Sequence, residues 1–279
     1  MHPPFLHCGK FKLSLSRPLI MGVVNVTPDS FSDGGLLPDA SHAIAHALRL
    51  IEEGADLLDI GGESTRPGAL PVSVDDELLR VLPVLEGLRG VSVPVSVDTQ
   101  KPVVMRAAIA AGASMINDIN AMQADGAWEV VAESDVALCL MHKQGSPLTM
   151  QRDPQYHHAV REVLDFLTAR IDAAQQHGIA RERLVIDPGF GFGKRLEHNL
   201  ALLRHLDQLA TLGIPILAGL SRKSVLGKIT GRDVGQRVYA SIAAAILAAQ
   251  NGASILRVHD VAATKDAFQI INALEKLND

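Results

Sequence analysis

The feature that most constrains this chain is a repeat of short apolar runs set between longer amphipathic stretches. Eight runs read as β-strands: residues 19–24, 57–60, 95–97, 115–116, 136–140, 184–186, 216–218 and 255–256. Each is bounded by Gly, Pro or polar residues and is rich in aliphatic side chains, the composition of a buried strand. Most begin about 20 to 45 residues after the one before, the length of a strand–helix unit. Between them, residues 43–53, 103–111, 158–177 and 238–250 read as helices. Gly54, Gly112, Gly178 and Gly252 stand where a left-handed cap would end each one. Parallel neighbours need a crossover, so this alternation means a parallel sheet covered by helices. Eight units in about 260 residues predict an α/β fold, a single (β/α)8 TIM barrel, with an open doubly wound sheet as the alternative. One domain over residues 1–279 is expected, with residues 5–18 forming an N-terminal hairpin that plugs the barrel bottom.

Composition narrows function by exclusion. The chain carries 26 Lys+Arg against 31 Asp+Glu, and aromatics are 4%. Neither a positive field nor a stacking surface for nucleic acid is expected. The longest apolar run, residues 242–249, is far short of the roughly 18 residues of a membrane span. No apolar stretch follows Lys10 and Lys12, so no secretory leader is expected. The two cysteines, Cys8 and Cys139, have no metal-binding spacing; Cys139 reads as a buried thiol, and a reducing cytoplasm as the compartment.

Function is legible at the strand ends. The strands run in order into Asn25, Asp59, Asp98, Asn117-Asp118, His142, Asp187, Ser221-Arg222-Lys223, and Arg257 with His259. In a parallel barrel these ends share one face, where active sites are built. A single Asp there is ordinarily a helix cap or turn residue, but a polar group at every strand end is not explained that way. Asp98, Asn117, Asp187 and Lys223 suit a fused heterocycle with a 2-amino-4-oxo edge: carboxylates accept paired N–H groups, an amide gives one donor and one acceptor, and an ammonium reaches a carbonyl or ring nitrogen. Arg66, Arg257 and His259, with Asn25 nearby, suit a phosphate or diphosphate held partly through a divalent ion. Two polar loops, NVTPDSFSDGG (25–35) and GGESTRPGA (61–69), read as binding loops at the mouth. PGFGFGKR (188–195) lacks the first glycine and the final Ser/Thr of a phosphate loop, and GLSRK (219–223) lacks the last glycine of a nucleophile elbow. On chemistry alone Lys223 also fits a Schiff-base lysine of an aldolase-type barrel.

MGVVNVTPDSFSDGG (21–35) and LLDIGGESTRPGA (57–69) resemble the two signatures of bacterial-type dihydropteroate synthases. SVDT (96–99), INDI (116–119), VIDPGFGFGK (185–194), GLSRK (219–223) and RVHDV (257–261) continue the resemblance in order, over nearly the whole chain. It implies a transferase of folate biosynthesis that joins 7,8-dihydropterin-6-ylmethyl diphosphate to 4-aminobenzoate. The products would be 7,8-dihydropteroate and diphosphate. Carried over by motif, the pterin pocket would comprise Asp98, Asn117, Asp187, Gly219 and Lys223, with Arg257 stacked on the ring. The diphosphate would lie against Asn25, Thr65, Arg66, Arg257 and His259, with Asn25 the protein ligand to Mg2+. The 4-aminobenzoate would lie among Phe31, Pro67, Phe192, Lys223 and Ser224. Asp98, Asp187, Lys223, Arg66, Arg257 and His259 would carry catalysis. A cytoplasmic homodimer and sensitivity to sulfonamides are also implied. The alternatives are a pterin-binding module of a methyltransferase and an inactive paralogue; both mouth loops are intact, which favours neither. Met141-His142-Lys143 departs from the family's frequent Met-His-Met. Lys143 is expected to be a solvated loop residue, or else to tune the field around the diphosphate.

Overall fold

The computed structural model describes residues 2–26, 40–66 and 68–275. Eight parallel strands close into a barrel: β3 (Leu19–Asn25), β4 (Leu57–Gly61), β5 (Val95–Asp98), β6 (Met115–Asp118), β7 (Ala137–Met141), β8 (Leu184–Asp187), β9 (Ile216–Ala218) and β10 (Ala253–Val258). They follow chain order around the barrel, and β10 pairs with β3 to close it. The open-sheet alternative is thereby excluded.

Around the strands run α1 (Ala40–Glu52), α2 (Val74–Gly87), α3 (Pro102–Ala110), α4 (Ala127–Ala132), α5 (Ala159–Gln176), α6 (Leu196–Arg204), α7 (Leu206–Ala210), α8 (Ser224–Thr230), α9 (Val238–Gln250) and α10 (Val261–Glu275). The four helices expected from periodicity are α1, α3, α5 and α9. Their closing glycines all take positive φ, at 97° for Gly54, 104° for Gly112, 78° for Gly178 and 103° for Gly252. This is the backbone conformation that an L side chain resists. The short helices α4, α7 and α8 hold too few residues to show a helical period, and α2 contains Pro83.

The hairpin lies where expected. β1 (Phe5–Cys8) and β2 (Phe11–Ser14) pair antiparallel, and Gly9 turns the chain at φ 57°. Leu6, Cys8 and Leu15 pack in one cluster with Met21, Leu57, Met115, Cys139, Val185, Leu217 and Ile255. Those seven are the inward residues of seven barrel strands. Cys8 Sγ donates to the Ser114 carbonyl at 3.1 Å, and Gly9 N donates to the Asp135 carbonyl at 3.2 Å. Both acceptors precede strands, so the hairpin closes the N-terminal end of the barrel. Both cysteines are fully buried.

Alternation then dictates what stands above that apolar layer. Strand side chains repeat with period two, so two residues onward from each inward position the chain faces inward again. Leu57 gives way to Asp59, Met115 to Asn117, Val185 to Asp187, Ile255 to Arg257 and Leu217 to Gly219. The intervening residues, among them Leu58, Ile116, Ile186 and Leu256, belong to the larger core between strands and helices. Met21 and Cys139 lead only to Val23 and Met141, so the upper layer, the floor of the mouth, is polar at Asp59, Asn117, Asp187 and Arg257 and apolar at those two.

Candidate active site

Arg257 is the centre of that floor. Its Nε donates to Asp59 Oδ2 at 2.6 Å and its Nη2 to Asp98 Oδ2 at 3.1 Å. Asn117 Nδ2 donates to the same Asp59 Oδ2 at 3.1 Å. Register brings these groups together: Gly61 stands opposite Asp98, and Asp98 opposite Asn117. Burial pushes the Asp98 carboxyl above its ordinary range, against the pull of Arg257. Burial also opposes the charge on Arg257, but Asp59 and Asp98 outweigh it and hold the guanidinium above its usual value. Three oxygens in this cluster are buried without a hydrogen-bond partner: Asp59 Oδ1, Asp98 Oδ1 and Asn117 Oδ1. Buried acceptors are normally paired, so three together at adjacent strand ends call for donors from outside the chain.

Asp187 and Lys223 form the opposite wall. Asp187 Oδ1 accepts from Gly189 N at 2.6 Å. Burial raises its carboxyl, and the Lys223 ammonium resists that shift. Burial brings Lys223 down to about 8, with Asp187 opposing. Its Nζ donates to the Phe190 carbonyl and lies 4.7 Å from the centre of the Phe192 ring. A Cβ on Gly219 would stand 3.7 Å from Lys223 Nζ and 3.9 Å from the Arg257 side chain. Gly219 therefore lines the space between the two cations without filling it.

A second region opens beside this floor. A cavity of about 990 Å³ is lined by Asn25, Arg66, Arg222, His259 and Asp260, among others. Arg66 is exposed and Thr65 half-buried. His259 is held by Ser221, whose Oγ accepts from His259 N at 3.2 Å and lies 3.0 Å from its Nδ1. Burial first, then the nearby Arg257 and Arg222, push the His259 ring down to about 4. The sequence reading groups His259 with Arg66 and Arg257 at the phosphate; in the folded chain burial, before the two arginines, disfavours a charge on its ring.

Phe192 is buried with Ile119, Met141 and Met150 in a small apolar cluster, and Ser224 is exposed at the start of α8. Phe31 and Pro67, the other two residues expected around 4-aminobenzoate, lie outside the described residues. Asp118 takes the ordinary role of a strand-end carboxylate: it accepts from Asn120 N and Met122 N, both at 2.7 Å, and shapes a turn.

Three features escape the sequence reading. Asp59 appears there as a strand end with no role, yet it joins Arg257 to Asn117. Lys194, in the tract set aside as a phosphate loop, is buried inside that loop. Its Nζ lies 2.9 Å from His142 Nδ1 and donates to the carbonyls of Gly189 and Phe192, both at 3.0 Å. Burial lowers that ammonium to about 7, and burial with Lys194 lowers His142 to about 3. Lys143 is not the solvated side chain expected. It is half-buried, its Nζ donates to Gln100 Oε1 at 3.1 Å, and its charge faces Asp118, Glu63 and Asp98. A signal existed for Asp59, which shares the inward strand phase of Arg257. None existed for Lys143, which meets Gln100 from another loop, or for Lys194, which its own loop encloses against His142.

Among the described residues no helix is long and apolar enough to cross a membrane. The family model described as pterin binding enzyme matches residues 21–259. The dihydropteroate synthase of Neisseria meningitidis serogroup B is 50% identical over 273 residues, covering 95% of this chain and 96% of its own length. The Xanthomonas albilineans dihydropteroate synthase solved with 4-aminobenzoic acid is 55% identical, with a TM-score of 0.92 and 98% of each chain covered. The Burkholderia cenocepacia dihydropteroate synthase complexed with 7,8-dihydropteroate is 50% identical, with a TM-score of 0.91 over 100% of this chain and 99% of its own. With a polar barrel mouth and matches of this extent, the chain belongs to the pterin-binding enzymes and, within them, to the dihydropteroate synthases, transferases of folate biosynthesis.

Proposed function

We propose that the two regions of the mouth divide the dihydropteroate synthase reaction between them. The polar floor takes the pterin, and the adjoining cavity takes its diphosphate. The observation that carries this reading is the set of partnerless buried oxygens on Asp59, Asp98 and Asn117. A 2-amino-4-oxo pterin edge presents N–H donors, and burying it there would satisfy acceptors that otherwise cost about 1–3 kcal/mol each. Asp187 adds a further acceptor, and Lys223 a donor for the ring carbonyl or a ring nitrogen. Arg257, held in one plane by two carboxylates, offers a flat cationic face for the ring.

The reaction breaks the bond between the pterin methylene carbon and the diphosphate oxygen, and the electron pair leaves with diphosphate. Arg66 and Arg257 stabilise that departing charge from fixed positions. His259, with Nδ1 engaged by Ser221, keeps its other ring nitrogen free of that bond to donate to the anion. The cation left on the methylene spreads into the electron-rich dihydropterin, with Asp98 and Asp187 beside it. The 4-aminobenzoate nitrogen, lying by Phe192, Lys223 and Ser224 with Phe31 and Pro67, then forms the new carbon–nitrogen bond and releases a proton. No enzyme nucleophile is required, so Lys223 acts in binding and not as a Schiff base.

The family resemblance implies Mg2+. Among the described residues no group of three His, Cys, Asp or Glu side chains could hold a metal. Asn25 Oδ1, which a Cβ on Gly61 would approach to 3.9 Å, offers a single neutral oxygen. That donor set fits an ion taking its remaining ligands from diphosphate and water, and we assign Asn25 that place. When bound, the ion supplies positive charge that makes diphosphate a better leaving group. We also assign the chain to a cytoplasmic homodimer; the exposed Tyr239 and Leu247 on the apolar α9 support a protein contact there.

The test is diphosphate release from the purified protein with the pterin diphosphate and Mg2+, with and without 4-aminobenzoate. Release that depends on 4-aminobenzoate and yields dihydropteroate is expected. Pterin binding without release would overturn the catalytic reading.

A further inference from the structure

A second charged cluster lies under the loop that carries Arg66, outside the floor and the cavity. Lys101 Nζ donates to Glu63 Oε2 at 2.5 Å and also to Glu77 Oε2. The three residues come from different places: Glu63 follows β4, Glu77 lies on α2, and Lys101 precedes α3. Their side chains are 11%, 0% and 19% exposed, respectively. Burial pulls the Lys101 ammonium down, but its two carboxylate partners outweigh burial and keep it above its ordinary value. One ammonium stands between two carboxylates below the surface, the Lys143 charge also faces Glu63, and Glu77 Oε1 is buried without a partner. Such an arrangement is a poor way to gain stability, because buried charges are costly to desolvate and apolar replacements often do as well or better.

Its geometry serves the loop instead. The other Glu63 oxygen, Oε1, accepts from Val72 N at 3.2 Å, so one carboxylate ties the start of the loop to its end. Arg80 Nη1 donates to the Gly62 carbonyl at 2.8 Å. A Cβ on Gly62 would stand 2.7 Å from Val81 Cγ2 and 3.0 Å from Glu77 Cγ, so the backbone lies hard against α2 there. Further out, Ala69 N donates to the Arg66 carbonyl and Gly68 N to the Pro147 carbonyl, both at 3.0 Å. Arg66 thus sits in a turn with the charged cluster at its base and a second loop at its tip.

We infer that Glu63, Lys101 and Glu77 are positioning residues that hold Arg66 at the edge of the diphosphate cavity. The inference rests on the assignment of Arg66 to the departing diphosphate. It commits these residues chiefly to turnover: none of them hydrogen-bonds a floor residue, and they reach the floor only through the charge of Glu77 on Asp98.

The experiment compares Lys101→Met, Lys101→Arg and Glu63→Gln with the parent enzyme. Glu63→Gln keeps the Lys101–Glu77 pair and guards against a folding defect in Lys101→Met. Steady-state kinetics, calorimetric binding of the pterin and hydrogen exchange over residues 62–72 are read on each. Lys101→Met and Glu63→Gln are expected to lower kcat on the order of tenfold to a hundredfold, the effect of misplacing a catalytic group by about 1 Å. Pterin affinity should fall less than kcat does, because the cluster reaches the pterin floor only through the charge of Glu77 on Asp98. Exchange at the Gly68 and Val72 amides should quicken, and Lys101→Arg should recover most of the rate. In an Arg66→Ala background, Lys101→Met should cost little more, because both changes remove the same interaction. Additive losses, or unchanged exchange over 62–72, would overturn the inference. Parent-like kcat in the variants, with Arg66→Ala crippled, would overturn it alone. Parent-like turnover in Arg66→Ala would overturn it together with the Arg66 assignment.

Discussion

Replacing Gly189 and Gly191 by alanine, one at a time, tests whether the loop after β8 is a fixed wall of the site. Both glycines have positive φ, 68° and 80°. Each alanine therefore carries the left-handed backbone strain of about 1–2 kcal/mol. The surroundings differ. A Cβ at Gly189 would lie 1.9 Å from the His142 carbonyl oxygen, more than 1 Å inside the 3.0 Å limit of real Cβ contacts. That carbonyl has little freedom, because His142 N donates to the Asp187 carbonyl at 2.9 Å and Lys194 Nζ lies 3.3 Å from the oxygen itself. Relief requires a backbone shift, which adds about 1–3 kcal/mol. The total for Gly189→Ala is about 2–5 kcal/mol. At Gly191 the nearest atom is Lys223 Cδ at 3.3 Å, part of a long side chain that yields by a few tenths of an ångström. Gly191→Ala should therefore lose about 1–2 kcal/mol and shift the Lys223 ammonium. Urea unfolding at a shared m-value gives the first quantity, and calorimetric titration with a pterin gives the second. Gly189→Ala should be the less stable, and Gly191→Ala should lose pterin affinity out of proportion to its stability. Equal stabilities for the two variants would refute the wall.

Arg257→Met leaves Asp59 and Asp98 buried with no cation and should cost about 3–5 kcal/mol at pH 8, read by urea unfolding. The folded Asp98 carboxyl, already raised by burial, then sits further above the unfolded value; the stability this favours is full at low pH and lost as pH rises. The deficit should therefore shrink at pH 5, and a deficit independent of pH would contradict the assignment. His259 behaves oppositely: its folded ring titrates at about 4 against 6.5 for the free side chain. Stability is lost as pH falls through that window, so His259→Gln should flatten the acid limb of the stability curve; an unaltered limb would show that the ring is not held neutral. Asp98→Asn and Lys223→Met should each weaken pterin binding by at least about tenfold with the unfolding midpoint near that of the parent, since a charged hydrogen bond contributes about 1.5–3 kcal/mol. Unchanged affinity in calorimetry would remove either residue from the pocket.

The parts of this molecule that the sequence displays are those that a local period controls. The alternation within Leu57–Gly61 puts Leu57 in the dry layer and Asp59 in the polar one, whatever its neighbours are. The positive-φ glycines after α1, α3, α5 and α9 follow from the sterics of a single residue. Much of the mouth follows too, because the strand ends open on one face, although Asp118 turns into its own loop and His142 onto Lys194. What the sequence does not display is which charge meets which. Arg257 and Asp59 are 198 residues apart, and Lys101 meets Glu63 and Glu77 only because successive strand–helix units stack side by side. Lys143 reads as a loop lysine until Gln100, from the loop after β5, is placed beside it. Lys194 shows the same in the smallest compass. The tract PGFGFGK has the glycines of an anion cradle, but here it curls around its own lysine, and the carbonyls of Gly189 and Phe192 take the cation that a phosphate loop would offer outward. A motif states which backbone shapes are permitted; whether the charge faces in or out is decided by what the next loop brings, here the His142 ring at 2.9 Å.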